Sequence, residues 1–219
     1  MKKNFIVIGL GRFGAKIAKT LTQMGCDVLA IDKDSDCVTA ISKDVSHCFI
    51  ADATKTDVLR DLDAQSCEHA VVAIGNNLQA TILTVVNLKN LGVPNITVRV
   101  DEPSHKEVLE LIGANDVIIP EEESAVSLAN SIISDSILDY YQITDEFAIM
   151  KLSVSEKFKA RTLIDLNVRN NFDVNIVGML NDKNEFYIPK GTDIIESGNI
   201  VYVVGKKPKI RKFEHFLNS

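Results

Sequence analysis

Short, strand-like apolar runs alternate along the first half of the chain with longer stretches in which apolar residues recur every three or four positions. The runs Phe5 to Ile8, Asp27 to Ile31, His47 to Ile50, Ala70 to Ile74, Asn95 to Val100 and Asp116 to Ile119 predict strands. The periodic stretches Phe13 to Met24, Ser35 to Ser42, Lys55 to Leu62, Leu78 to Leu91 and Ser104 to Ile112 predict the helices between them. Such alternation builds βαβ units and hence a parallel sheet. Gly25, Gly92 and Gly113 each stand where a glycine closes a helix. Pro120 opens a longer helical stretch with two apolar stripes, Val126, Ala129, Ile133 and Ile137 on one side and Leu128, Ile132 and Leu138 on the other. A helix apolar on two sides packs twice, across its own domain or against a second subunit. After about Thr144 the texture changes to a strand (Phe147 to Val154), a polar helical turn (Thr162 to Asn170), three more strands (Val174 to Leu180, Glu185 to Ile188, Asn199 to Gly205) and a helix from Pro208 to Phe216. The pattern divides the chain into a parallel α/β domain over 1–119, a crossover or linker helix over 120–143, and a small α+β module over 144–219.

At 219 residues there is enough chain for one domain of ordinary size plus a small one. The formal net charge of −6 argues against a nucleic-acid partner, because that affinity comes from clustered Lys and Arg. Cys26, Cys37, Cys48 and Cys67 are far apart with no C-x-x-C spacing, so they read as structural thiols in a reducing compartment. The start Met1-Lys2-Lys3-Asn4 lacks the apolar core of a secretory signal and reads as cytosolic. No apolar run approaches the roughly 20 residues of a membrane-spanning helix, which puts the membrane part of any membrane process on another polypeptide.

Candidate chemistry begins at Val7-Ile8-Gly9-Leu10-Gly11-Arg12-Phe13-Gly14, a G-x-G-x-x-G loop directly after a strand and at the mouth of a helix. In a Rossmann-type domain Gly9 makes the tight turn, Gly11 lets backbone approach phosphate, and Gly14 lets helix pack on strand. The helix N-terminus adds free N–H groups and the positive end of a dipole. Asp32 ends the second strand at about the spacing of 20 residues at which a carboxylate meets the ribose hydroxyls, and it would repel a 2′-phosphate. Arg12 lies within the loop. A pyrophosphate needs no further cation there, so a guanidinium tilts the ligand toward ATP or ADP and away from NAD or NADH. Asp52 and Ala53 after the third strand and Gly75-Asn76-Asn77 after the fourth lie at carboxyl strand ends, where open α/β sheets bind ligands. Phe13, Lys33 and His105 complete the candidate contacts. Glu121-Glu122-Glu123 after Pro120 is, taken alone, the acidic first turn of a helix.

These residues resemble the RCK (regulator of potassium conductance) family, most closely its KtrA/KtrC-type cytosolic subunits of bacterial Ktr potassium uptake systems. The resemblance is carried by the glycine loop, Ala51-Asp52-Ala53-Thr54, Val71-Val72-Ala73-Ile74-Gly75 with Asn77, Lys89 to Pro94, Ile112-Gly113-Ala114 with Pro120-Glu121, and Ile164-Asp165-Leu166-Asn167-Val168-Arg169. It implies an RCK_N domain, an RCK_C domain, and dimers assembled into an octameric ring. The ring would dock under a potassium-translocating membrane subunit of KtrB/KtrD type, placing the chain in the cytoplasm at the inner face of the membrane. ATP and ADP would compete for the Rossmann site, with Arg12 at the terminal phosphates, Asp32 at the ribose, Arg99 as a second phosphate-side cation and Glu121 holding a metal cation. The C-terminal module would bind cyclic di-AMP through Ile164, Asn167, Arg169, Asn175, Ile176 and Pro189.

A nicotinamide dehydrogenase or NAD(H) redox sensor would use the same loop, but a dehydrogenase needs a proton-transfer group at the substrate. The four histidines, His47, His69, His105 and His215, are scattered along the chain. Tyr202 and Lys206 match a Y-x-x-x-K pair, yet the run around them is a strand, which would hold them roughly 13 Å apart. A transcription factor would need a helix-turn-helix and a basic face. The sequence therefore points to a sensor without catalytic residues.

Overall fold

A computed structural model describes residues 3–75, 77–181 and 183–219, apart from the side chain of Glu123. Met1, Lys2 and Asn76, all named above, lie outside the described residues. The chain forms two compact units, Met1–Glu121 and Glu122–Ser219.

The first unit runs β1 (Asn4–Ile8), α1 (Arg12–Gln23), β2 (Asp27–Asp32), α2 (Ser35–Ile41), β3 (His47–Ile50), α3 (Thr56–Asp61), β4 (His69–Val72), α4 (Leu78–Asn90), β5 (Ile96–Arg99), α5 (Lys106–Leu111) and β6 (Asp116–Ile118). The six strands are parallel in the order β3-β2-β1-β4-β5-β6. Both faces are covered, as a parallel sheet requires. Ile6, Ile8, Ile31 and Val72 pack on one side with Leu88 and Leu109, while Val7, Val28, Ala30 and Val71 pack on the other with Ala18 and Val38. This two-sided burial is why the strands read as continuous apolar runs.

The glycine closures form as the sequence predicts. At Gly92, with φ +83°, the N–H groups of Gly92 and Val93 bond the carbonyls of Lys89 and Leu88. Gly25 and Gly113 end α1 and α5 in the same way. The order 3-2-1-4-5-6 reverses between β1 and β4, and the carboxyl ends of the strands meet the ligand at such a point.

The second unit contains most of α6 (Pro120–Ile132), then β7 (Ile137–Gln142), β8 (Phe147–Ser153), β9 (Arg161–Thr162), α7 (Leu163–Leu166), α8 (Val168–Phe172), β10 (Val174–Leu180), β11 (Phe186–Tyr187), β12 (Ile194–Ile195), β13 (Ile200–Lys206) and α9 (Lys207–Asn218). An antiparallel sheet of order β11-β10-β13-β8-β7 buries Met150, Leu152, Val201 and Val203 against Ile210, Phe213 and Leu217 of α9. Those α9 positions recur at helical spacing, which fixes the buried face.

One expectation fails here. The helix from Pro120 does not continue through Ile137 and Leu138; it stops at Ile132, and those two residues open β7. The break is polar: the hydroxyls of Ser134 and Ser136 both donate to Glu214 Oε1 on α9. The Thr162 to Asn170 turn is also two helices rather than one, because Asn167 adopts a left-handed conformation (φ +43°) between α7 and α8. The apolar stripes that begin on α6 are solvent-facing on this single chain, with Leu128, Ile132 and, just past the helix end, Ile133 each more than 60% exposed.

Candidate functional site: a cleft at the carboxyl ends of the parallel strands

A cavity of about 1040 Å³ opens where the loops after β1 to β5 converge. Gly9, Gly11, Arg12, Phe13, Asp32, Lys33, Asp52, Ala53, Gly75, Asn77, Arg99 and Glu121 line it, so the fold gathers residues that lie up to 112 positions apart. Its volume is in the range of small-molecule sites.

The loop geometry explains its glycines. Gly9 has φ +91°, and a Cβ there would run into the backbone of Ala73 after β4. Gly14 is buried beneath the loop, and its Cβ would fall on the carbonyl oxygen of Gly9. Gly11 has no neighbour in reach of a Cβ and serves as the N-cap of α1 without a side-chain cap, which leaves the N–H groups of the first turn for a ligand.

Asp32 at the end of β2 ties the loop down. Its Oδ2 accepts from the Leu10 N–H at 2.6 Å and its Oδ1 from the Asp34 N–H at 2.9 Å. The carboxylate is thus held beside the glycine loop, where a ribose would meet it.

Asp52 accepts from the Thr54 hydroxyl at 2.7 Å and the Thr54 N–H at 3.1 Å. These bonds, the hydroxyl first, hold its carboxyl below the usual carboxylate value. The turn is braced from behind: Asn87 on α4 donates to the Thr54 carbonyl at 2.8 Å and accepts from the Thr56 hydroxyl at 2.9 Å. Asn77 caps α4, accepting from the Ala80 N–H at 2.9 Å.

On the opposite side, Arg99 at the end of β5 places its Nη2 2.5 Å from both Asp101 and Glu121. The hydrogen bond from Arg99 holds the Glu121 carboxyl below its ordinary value, with smaller contributions from the charges of Arg99 and Arg12. Within one chain Glu121 pairs with Arg99. Its carboxylate is engaged by a cation already, and among the described residues no group of three or more His, Cys, Asp or Glu side chains could hold a metal ion.

His105 is not among the lining residues; its ring lies 3.8 Å from Glu102 in the turn after β5. Sequence reasoning passed over Lys16, Cys37 and Leu83, which also line the cleft. Only helical periodicity marks Lys16 and Leu83, and it separates inward from outward faces without naming a ligand. Burial, followed by the charges of Asp32, Asp34 and Asp36, raises the Cys37 thiol, which keeps it protonated at neutral pH.

In the second unit the other candidates fall into two groups. Arg169 Nε donates to Asn175 Oδ1 at 2.7 Å, joining α8 to β10 beside Ile176. Ile164, 65% exposed, bonds through its N–H to the Gly191 carbonyl, two residues after Pro189. Asn167 occupies the left-handed joint between α7 and α8. Tyr202 and Lys206 lie on β13 as expected, and Lys206 pairs with Glu146 at 2.8 Å. Among the described residues no helix is long and apolar enough to cross a membrane.

The TrkA-N domain model matches residues 5–120 and the TrkA-C domain model residues 147–218. The chain is 39% identical over 214 residues to Ktr system potassium uptake protein C of Bacillus subtilis (strain 168), covering 98% of this chain and 97% of that one. It is 38% identical over 213 residues to Ktr system potassium uptake protein A of the same organism, covering 97% and 96%. Among solved structures, the GsuK RCK domain matches with a TM-score of 0.70 at 16% identity, and the GsuK channel bound to NAD with 0.69 at 16%. Both likenesses cover the whole of this chain, which spans 48% and 40% of theirs, and they speak to fold. With a parallel Rossmann-type unit, an antiparallel C-terminal unit and near-full-length similarity to two Ktr proteins, the chain belongs to the RCK family of TrkA-N/TrkA-C proteins, in its KtrA/KtrC-type branch.

Proposed function

We propose that this chain is the nucleotide-sensing regulatory subunit of a potassium uptake system, and that ATP and ADP compete for the cleft of the first unit. The carrying observation is the pair of guanidinium groups, Arg12 and Arg99, lining the cleft with the glycine loop and Asp32. A dinucleotide's pyrophosphate is served by the helix N-terminus alone. Two further cations suit a ligand with terminal phosphates, which guanidinium groups grip through two hydrogen bonds each. Asp32 then takes the ribose, and Asp52, Ala53 and Asn77 line the adenine end.

The subunit acts without catalysis. Each nucleotide binds one of two conformations of a homo-oligomer more tightly, and that difference shifts the population transmitted to the membrane subunit. The exposed stripes of α6 support assembly into dimers, and through them an octameric ring docked on a KtrB/KtrD-like partner at the inner face of the membrane. Ile164, Asn167, Arg169, Asn175, Ile176 and Pro189 of the second unit provide a site for cyclic di-AMP. The similarity to Ktr uptake proteins supports this placement in potassium transport.

Calorimetric titration of the whole protein with ATP, ADP, NAD and NADH tests the reading. Preference for ATP and ADP is the expected result. Tight NAD or NADH binding with no ADP affinity would move the chain to an NAD(H)-binding redox sensor, the ligand of the NAD-bound GsuK channel.

A further inference from the structure

We propose that Glu121 is a gate on Arg99: it occupies the guanidinium until a nucleotide phosphate displaces it, so the cleft selects ligands by how well their phosphates compete with this carboxylate. The proposal rests on the nucleotide reading above and adds a selectivity residue to that site.

A guanidinium grips phosphate through one of two edges, the side edge of Nε with Nη2 or the end edge of Nη1 with Nη2. Nη2 belongs to both edges. In this structure Asp101 Oδ1 and Glu121 Oε1 each lie 2.5 Å from it, and Glu121 accepts a hydrogen bond from it, so two carboxylate oxygens crowd the nitrogen that both edges share. Arg99 Nε is buried and has no hydrogen-bond partner among the described residues, so the side edge is half used. Two-point capture of a phosphate therefore needs one carboxylate to leave, and it would satisfy the orphaned Nε in the exchange.

Glu121 is the group that leaves. Its side chain is 63% exposed against 34% for Asp101, and it is one carbon longer. The Arg99 guanidinium is only 15% exposed and stays in place at the end of β5. Once phosphate holds Arg99, the freed carboxylate faces an anion without the cation that stood between them, and repulsion keeps it away. A carboxylate is anionic at neutral pH, and the hydrogen bond from Arg99 lowers this one further, so the competition is between two anions throughout the physiological range. Glu121 is also the second residue of α6 and the last residue of the first unit.

The test is calorimetry on the full-length protein in chelator, with adenosine, ADP, ATP and inorganic pyrophosphate as probes. Glu121→Gln and Glu121→Ala should each bind ADP, ATP and pyrophosphate about fivefold tighter than wild type, the scale of one ion pair removed from the competition, while adenosine is unaffected. Arg99→Gln should abolish the gain, and the double variant Arg99→Gln/Glu121→Gln should bind ADP no better than Arg99→Gln. Unchanged or weaker ADP and pyrophosphate binding in both Glu121 variants would overturn the gate. A wild-type chain that binds neither adenosine nor ADP would overturn the nucleotide reading instead. Pyrophosphate then reads the gate alone, and an unchanged pyrophosphate affinity would overturn that too.

Discussion

The two units place their candidate binding residues in opposite ways. In the first, strands run parallel, every carboxyl end faces the same edge, and residues from Gly9 to Glu121 are delivered to one cavity. In the second, strands alternate in direction, and the candidates sit in two groups around Arg169 and Ile164, with Ile164, Phe186, Ile188 and Ile194 each more than half exposed. A parallel sheet makes a site from one chain by topology alone. Apolar side chains left exposed on short elements and loops around an antiparallel sheet make one only with something else laid against them, which is the physical reason to look for cyclic di-AMP at a contact between copies.

The largest effect that sharpens this contrast comes from Gly14. Gly14→Val puts side-chain atoms where the Gly9 carbonyl stands, and it should destabilise the first unit by about 3 kcal/mol and remove ADP binding. Scanning calorimetry should find the transition of the second unit unmoved; a common fall of both would merge the two units into one cooperative body. Next in size is Asp32→Asn, which weakens the acceptor for the ribose and for the Leu10 N–H together. ADP affinity should fall about twentyfold by titration, in line with a charged hydrogen bond of roughly 1.5–3 kcal/mol; an unchanged affinity would take Asp32 out of the site. Arg169→Ala should cost about tenfold in cyclic di-AMP binding and nothing in ADP binding. Equal losses of both ligands would break the division between units.

The smallest effect is a pH one. Asp52 is held below its ordinary value in the folded chain, so its contribution to stability is present above the usual carboxylate value and is lost as pH falls through the lowered one. Thr54→Val removes the hydroxyl bond and should move the Asp52 midpoint back up in a carboxyl NMR titration. An unmoved midpoint would assign the shift to other causes.

What the sequence reveals follows the same contrast. The strand-turn-helix at Gly9 to Gly14 is legible because each glycine answers a local steric demand, and the carboxyl-end rule places Asp32, Asp52 and Asn77 without knowledge of tertiary contacts. Arg99 is different: its pairing with Asp101 and Glu121 depends on where the end of β5 and the start of α6 lie in space, which no spacing encodes. His105 sits at the right edge of the sheet by sequence yet stays with Glu102, because the turn after β5 folds on itself. In the second unit β7 escaped notice because a bulge between Ile137 and Asp139 spoils its two-residue period, and the apolar residues before it continue a helical one. The strands β9 and β12, two residues each, are too short to carry any period.

The central claim, that adenine nucleotides in the first unit's cleft set the activity of a potassium-translocating partner, is tested most directly by rubidium flux into proteoliposomes carrying the cognate membrane subunit, with this chain added in ATP or in ADP. The account predicts that flux differs between the two nucleotides and that Asp32→Asn removes the difference. Equal flux in both, or flux indifferent to the presence of the chain, would contradict it.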